Sequence, residues 1–223
     1  MLKTTELFSL EHSIAGEYLL KFKYPWQALK HIKEIVEFVG GKLSDSEYEE
    51  IKRHVWVHKS AKIAPTAHID SPAIIGAYTE VRHCAFIRGS AIIGENCVVG
   101  NSTEIKNSII FDCVQIPHYN YVGDSILGYR THLGAGSLTS NVKSDKTLVC
   151  VSFNGKKIDT GLKKFGAMIG DGVEVGCNCV LNPGTVIGKN SNIYPLSSVR
   201  GVVPESSIYK SSENIVSKKR TGE

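Results

Sequence analysis

Residues 57–111 read VHKSAKIAPTAHIDSPAIIGAYTEVRHCAFIRGSAIIGENCVVGNSTEIKNSIIF, and every sixth residue is large and apolar. The series runs Val57, Ile63, Ile69, Ile75, Val81, Ile87, Ile93, Val99, Ile105 and Phe111. A second series in another frame holds Leu127 and Leu133, then Ile169, Val175, Leu181, Ile187, Ile193 and Val199. Four residues after most of these stands a small one, such as Ala73, Thr79, Ala85, Ala91, Cys97 and Thr103, and later Cys179, Thr185 and Ser191. Helices repeat every 3.6 residues and strands every 2, so a strict six belongs to neither. It describes a coil with three flat sides, each hexad giving one short strand and one turn. The large residue fills a triangular prism and the small one sits where its inner walls converge. Glycine often follows the large residue, as at Gly76, Gly94, Gly100, Gly170, Gly176 and Gly188, and is expected to serve corners with unusual dihedrals.

The expected fold is therefore an all-β solenoid, a parallel β-helix of hexapeptide repeats, with a short α-helical N-terminal segment. The period does not give the hand; chains with this repeat resemble the left-handed β-helix proteins. Residues 1–54 lie outside the repeat. Tyr24-Pro25-Trp26, followed by Ala28, Leu29, Ile32, Ile35, Val36 and Val39, predicts an amphipathic helix that starts at Pro25 and stops at Gly40-Gly41. A second short helix is expected over 45–53, the whole segment forming a lid on the first coil. The β-helix is expected over 55–205, interrupted by an insertion at about 141–166 that bears six lysines and the hairpin-like Phe153-Asn154-Gly155-Lys156. Insertions leave a solenoid at one corner and commonly carry binding residues. The tail, 206–223, contains Lys218-Lys219-Arg220 and either caps the far end or lies loose.

Composition narrows the function. With 223 residues and 42% hydrophobic content, the chain can bury one sizeable core. Its 26 Lys and Arg against 22 Asp and Glu leave a net charge of only +4, spread along the chain, so no nucleic-acid partner is expected. No stretch has the form of a signal peptide or the length of a membrane span, and a cytoplasmic protein is expected, with no membrane partner. Six cysteines include no CxxC and no zinc-like Cys/His spacing, so they read as reduced structural thiols and no metal is expected.

The break in frame between Phe111 and Leu127 holds QIPHYNYVGD, residues 115–124. His118, beside Pro117 and outside the apolar register, is free to point away from the core. The longer stretch PHYNYVGDSILGYRTHLGAGSLTSN, residues 117–141, resembles the acetyltransferase half of the bifunctional N-acetylglucosamine-1-phosphate uridylyltransferase/glucosamine-1-phosphate acetyltransferase family. GKKIDTGLKKFGAMIGDGVEVGCNCVLNPG, residues 155–184, is similar to the longer arm of the archaeal branch of that family. Tyr24-Pro25-Trp26 resembles the junction that follows the nucleotidyltransferase domain.

The resemblance implies an acetyl-CoA-dependent N-acetyltransferase, packed as a homotrimer, that acts on a sugar 1-phosphate. It makes His118 the general base and places Tyr121 and Asn141 on the amino sugar. Arg88 and Lys106 fall on the phosphate-binding positions, and Lys146 on an arm lysine near the substrate. Ala135, His132 and Cys177 fall along the acetyl-CoA groove. Three departures stand out. The roughly 50 residues before the first coil leave no room for a nucleotidyltransferase domain, so a stand-alone form that makes no nucleotide sugar is expected. His132 replaces an asparagine, and Pro195 stands where a backbone N–H would meet the cofactor.

The residue types suit the chemistry. An ammonium must lose a proton before it attacks a thioester, and histidine accepts one near neutral pH. Arginine and lysine supply fixed positive charge for a phosphate. Other readings of the same residues are a zinc hydrolyase that uses His83, His118 and His132, a non-catalytic scaffold or sugar-phosphate sensor, and an O-acetyltransferase for another small acceptor.

Overall fold

Register through the parallel strands sorts the hexads into three stacked columns. The computed structural model describes residues 2–218, and its strands build a left-handed β-solenoid of about nine turns. The first face stacks Val57, Ile75, Ile93, Ile110, Leu127, Ile169, Ile187 and Val203. The second runs through Ile63, Val81, Val99, Ile116, Leu133, Val175, Ile193 and Tyr209. The third runs through Ile69, Ile87, Ile105, Val122, Thr139, Leu181 and Val199. All of these are buried except Ile63, which is partly so. The small residues Ala73, Ala91, Cys97, Thr103, Cys179 and Thr185 are buried beside them.

One residue of the expected series is displaced. Ile110, and not Phe111, pairs with Ile93. Two successive coils, Ile93 to Ile110 and Ile110 to Leu127, are a residue short, because the turn between third and first face is contracted into the continuous strands Glu104–Ile110 and Tyr121–Leu127. Phe111 is thereby turned to the next corner, where its ring lies 5.2 Å from that of Phe8.

The glycines also serve a different purpose from the one expected. Positive φ falls three residues after the large apolar position, on Tyr78, Cys84, Asn96, Ser102 and Tyr119 among others. Gly100 has an ordinary φ, but a Cβ there would come within 1.6 Å of the Pro117 carbonyl oxygen. Its role is close approach between successive coils.

The N-terminal segment covers the first coil only through residues 48–52. Its earlier part runs along the prism, crossing several coils. Ser9 N–H donates to Asp171 Oδ2 at 2.8 Å, Asp112 N–H to His12 O at 3.0 Å, and Asn107 Nδ2 to Leu29 O at 3.2 Å. Trp26 is buried near Phe165, with ring centroids 5.8 Å apart. The amphipathic helix is Ile32–Gly40, preceded by a 3-10 turn at Pro25–Lys30. Residues 48–52, expected as helix, form a strand antiparallel to Val55–His58 that covers the open edge of the first coil. Asn214–Ser217 does the same for Ser207–Ser211 at the far end. Lys218 Nζ donates to Asn190 O at 3.3 Å; Lys219 and Arg220 lie outside the described residues. No helix is long and apolar enough to cross a membrane among the described residues.

Candidate active site

The corner between the second and third faces carries one residue per coil: His83, Asn101, His118, Ala135, Cys177 and Pro195, each two positions after its apolar column residue. From Ser102 onward, the following residue of each coil sends its N–H to the carbonyl of the coil before. Tyr119 N–H thus reaches Asn101 O at 2.9 Å, Gly136 N–H reaches His118 O at 3.0 Å, and Asn178 N–H reaches Ala135 O at 2.8 Å. These bonds hold the corner residues in line, about 4.8 Å apart. The N–H groups of Ala135 and Cys177 take no acceptor among the described residues. Pro195 has no N–H to offer.

His118 is exposed, and its ring makes no hydrogen bond among the described residues. Its backbone is fixed from within. Asn120, 3% exposed, accepts the His118 N–H on Oδ1 at 3.1 Å and donates from Nδ2 to Gly134 O and Ser137 O at 2.8 and 2.9 Å. One buried amide thus ties the histidine turn to the coil that bears Ala135.

Around the corner, the third face gathers a polar cluster. Arg88 and Lys106 occupy matching positions on successive coils, immediately after Ile87 and Ile105. Arg88 donates to Glu104 Oε1 at 2.6 Å, a bond that holds its guanidinium above the usual range. Lys106 Nζ lies 4.0 Å from Asp124 Oδ2. The Asp124 carboxylate is buried and accepts Nδ2 of Asn107 at 2.8 Å and Nδ2 of Asn141. The same Asn141 amide reaches the Tyr121 hydroxyl at 3.2 Å. Burial pushes the Tyr121 phenol up, and the charges of Asp124 and Glu104 push it further. Arg88, Lys106 and Tyr121 therefore stand on the third face and Asn141 at its far corner, with Asn107 and Asp124, while His118 stands at the near corner. Sequence reasoning missed Asp124, Glu104 and Asn120. The contracted coils were the available signal, since they bring Asn107 and Asp124 to one corner in the left-handed region.

Two expected residues stand elsewhere. His132 lies on the second face and its Nδ1 is 2.9 Å from Glu174 Oε2, so the ring pairs with a carboxylate away from the corner column. Lys146 is exposed at a turn whose N–H returns to Lys143 O at 3.1 Å. The arm itself is a hairpin of Val149–Phe153 and Lys156–Leu162, turning through Asn154 and Gly155 at φ 49° and 72°. Between it and the later coils opens a cleft of 430 Å³ whose lining includes Lys143, Lys157, Asn182 and Arg200. That cleft lies toward the third-to-first corner, the far side of the third face from His118, and Ser140 of its lining adjoins Asn141.

Residues 79–161 match the family model of the GMPPB C-terminal domain, and residues 166–201 match that of the bacterial transferase hexapeptide (six repeats). The chain is 37% identical over 202 residues to the "Bifunctional protein GlmU" of Methanococcus maripaludis, covering 88% of this chain and 48% of that protein. The same protein in a second strain of that species is 36% identical over 223 residues, covering 98% of this chain and 54% of the relative. A "Bifunctional sugar-1-phosphate nucleotidylyltransferase/acetyltransferase" of Sulfurisphaera tokodaii is 35% identical over 145 residues, 65% of this chain and 36% of that one. The chain spans about half the length of the first two of these relatives. Among solved structures, a hexapeptide transferase family protein from Anaplasma phagocytophilum aligns with a TM-score of 0.42 at 16% identity, over 74% of this chain and 79% of that one. By its sequence likeness over most of its length to the Methanococcus proteins, the chain is a relative of the bifunctional GlmU proteins, and it carries the bacterial transferase hexapeptide repeat over residues 166–201.

Proposed function

We propose that this chain is an acetyl-CoA-dependent N-acetyltransferase that converts an amino-sugar 1-phosphate, best matched by glucosamine 1-phosphate, to its N-acetyl form. The observation that carries this reading is the corner column. An exposed imidazole at His118 stands next in line to the free N–H groups of Ala135 and Cys177. On the adjoining face are the cations Arg88 and Lys106, with Tyr121 and Asn141.

In this mechanism His118 takes a proton from the acceptor nitrogen as that nitrogen attacks the thioester carbonyl. The oxyanion is met by a backbone N–H of the corner column, because the Asn141 amide is already engaged by Asp124 and Tyr121. Collapse breaks the carbon–sulfur bond, and the departing thiolate takes the proton back from His118. Arg88 and Lys106 hold the phosphate, exchanging part of their attraction to Glu104 and Asp124 for it. Cys177 and Ala135 line the path of acetyl-CoA, while Lys146, on the arm, and His132, paired with Glu174 on the second face, stand outside the corner column.

A single prism presents flat faces and a convex corner, so the two substrates need a second wall. A homotrimer supplies it by cyclic closure. Light scattering at micromolar concentration tests this, and a monomeric mass would contradict it. Thiol release from acetyl-CoA, compared with glucosamine 1-phosphate and with free glucosamine as acceptor, tests the activity. Pro195 and the His132–Glu174 pair favour a second reading, a sugar-phosphate sensor without catalysis. Calorimetric titration with acetyl-CoA separates the two, because a sensor need not bind it.

A further inference from the structure

A cysteine, a histidine and a threonine meet on the second-to-third corner, two coils before His118, and none of them is used in acetyl transfer. Sγ of Cys84 lies 3.2 Å from Nε2 of His83, and Nδ1 of His83 lies 2.7 Å from Oγ1 of Thr66. The Cys84 N–H donates to the same Thr66 oxygen at 3.3 Å. A hydroxyl oxygen has two lone pairs, so Thr66 can accept both the Cys84 N–H and a His83 Nδ1–H. That tautomer leaves the Nε2 lone pair facing the thiol. Asn101 Nδ2, donating to His83 O at 3.1 Å, fixes the turn from the next coil. The order is that of a nucleophile, its base and a group that orients the base.

The other cysteines lack this arrangement. Burial pushes the Cys97 thiol up to about 12 and raises Cys179 as well. Cys150 donates to Asp159 Oδ1 at 3.2 Å, a carboxylate that holds the proton on sulfur. Cys177 is exposed like Cys84, but its sulfur has no hydrogen-bond partner among the described residues. His83, the base, lines one end of a shallow hollow of 350 Å³ with Ile63, Glu80, Val81 and Arg82.

We propose that Cys84 is a reactive thiol that undergoes exchange with low-molecular-weight disulfides, with His83 as its base. The thiol proton passes to His83 Nε2 and the thiolate attacks one sulfur of the disulfide. The disulfide's own S–S bond breaks, and a new one joins Cys84 to half of it. The departing thiolate takes the proton from Nε2 and leaves as a free thiol.

The test uses the full chain with oxidised glutathione at neutral pH, followed by mass spectrometry of the intact protein and its peptides. Cys84 is expected to form the mixed disulfide roughly tenfold faster than Cys177, the advantage of a paired imidazole. His83→Ala should reduce Cys84 to the rate of Cys177, and Thr66→Val should slow it less. Should His83→Ala fail to fold, the ordering of Cys84 and Cys177 in the unaltered protein still decides. Equal rates for the two cysteines, or an unchanged Cys84 rate in a folded His83→Ala protein, would overturn the assignment. None of these readings depends on acetyl transfer.

Discussion

The Asp124 carboxylate accepts the side-chain amide of Asn141 one coil away, and the same amide reaches the Tyr121 hydroxyl at 3.2 Å. With Asn107 on its other oxygen at 2.8 Å and Lys106 at 4.0 Å, Asp124 is the hub of the third-face cluster. It is only 4% exposed, so its partners are set before any substrate arrives.

Removal of that hub should be costly. Asp124→Ala leaves two amides and an ammonium without their acceptor, and about 3 kcal/mol of stability should be lost. Asp124→Asn, which keeps one oxygen, should lose less. Urea unfolding of the three proteins measures this, and an alanine variant as stable as the parent would deny Asp124 the role.

Arg88 and Glu104 make opposite predictions. Arg88→Ala should raise KM for the phosphorylated sugar roughly tenfold or more while sparing the free amino sugar. Glu104→Gln, by removing the charge that strengthens the 2.6 Å bond to Arg88, should lower the same KM. Steady-state kinetics on both acceptors checks the pair. An unchanged preference for the phosphorylated acceptor in Arg88→Ala would remove Arg88 from phosphate binding.

Gly100 should tolerate no side chain. A Cβ placed 1.6 Å from the Pro117 carbonyl oxygen has to push the strand of Gly100 away from the His118 strand that it pairs with. Gly100→Ala is expected to cost about 3 kcal/mol or more, the upper range for a backbone clash in a packed core. An unfolding midpoint equal to the parent's would show that the coils can separate freely there.

Much of this was legible in the residues. The six-residue period gave the columns because each inward position must be apolar whatever else the coil carries, and only Phe111 of the first series fell out of line. That slip was hidden because Ile110 and Phe111 are both large and apolar, so a coil one residue short leaves no visible gap. The helix expected over 45–53 failed for a physical reason. Tyr48–Lys52 has an open strand edge to pair with, at Val55–His58, and tertiary pairing outweighs local preference. The resemblance singled out His118, Arg88, Lys106, Tyr121 and Asn141, which the register spreads across the third face and the two corners that bound it. It could not show Asp124, whose importance lies in burial and in contacts across coils.

Asp112 should make stability depend on pH. Burial pushes its carboxyl above the usual range, and the charge of Glu95 adds to that. A carboxyl raised on folding binds its proton more tightly in the folded chain than in the unfolded one. Its contribution is complete below the ordinary aspartate range and is lost as pH rises through the folded value. Asp112→Asn retains an oxygen for the Glu95 N–H, now bonded at 2.8 Å, and removes the titration. Relative to the parent, the variant should gain stability between about pH 3 and about pH 7. Urea unfolding at both values decides it, and a constant difference would contradict the assignment.

The central claim is that His118 moves the proton in acetyl transfer, and thiol release from acetyl-CoA in the presence of glucosamine 1-phosphate tests it most directly. His118→Ala should keep its acetyl-CoA affinity by calorimetry while kcat falls by a factor on the order of 100 to 10,000, the usual worth of a positioned base. His132→Ala, which loses only a pairing with Glu174 away from the corner column, should retain most of the rate. Equal turnover in the parent and in His118→Ala would contradict the account, as would the absence of any release from the parent.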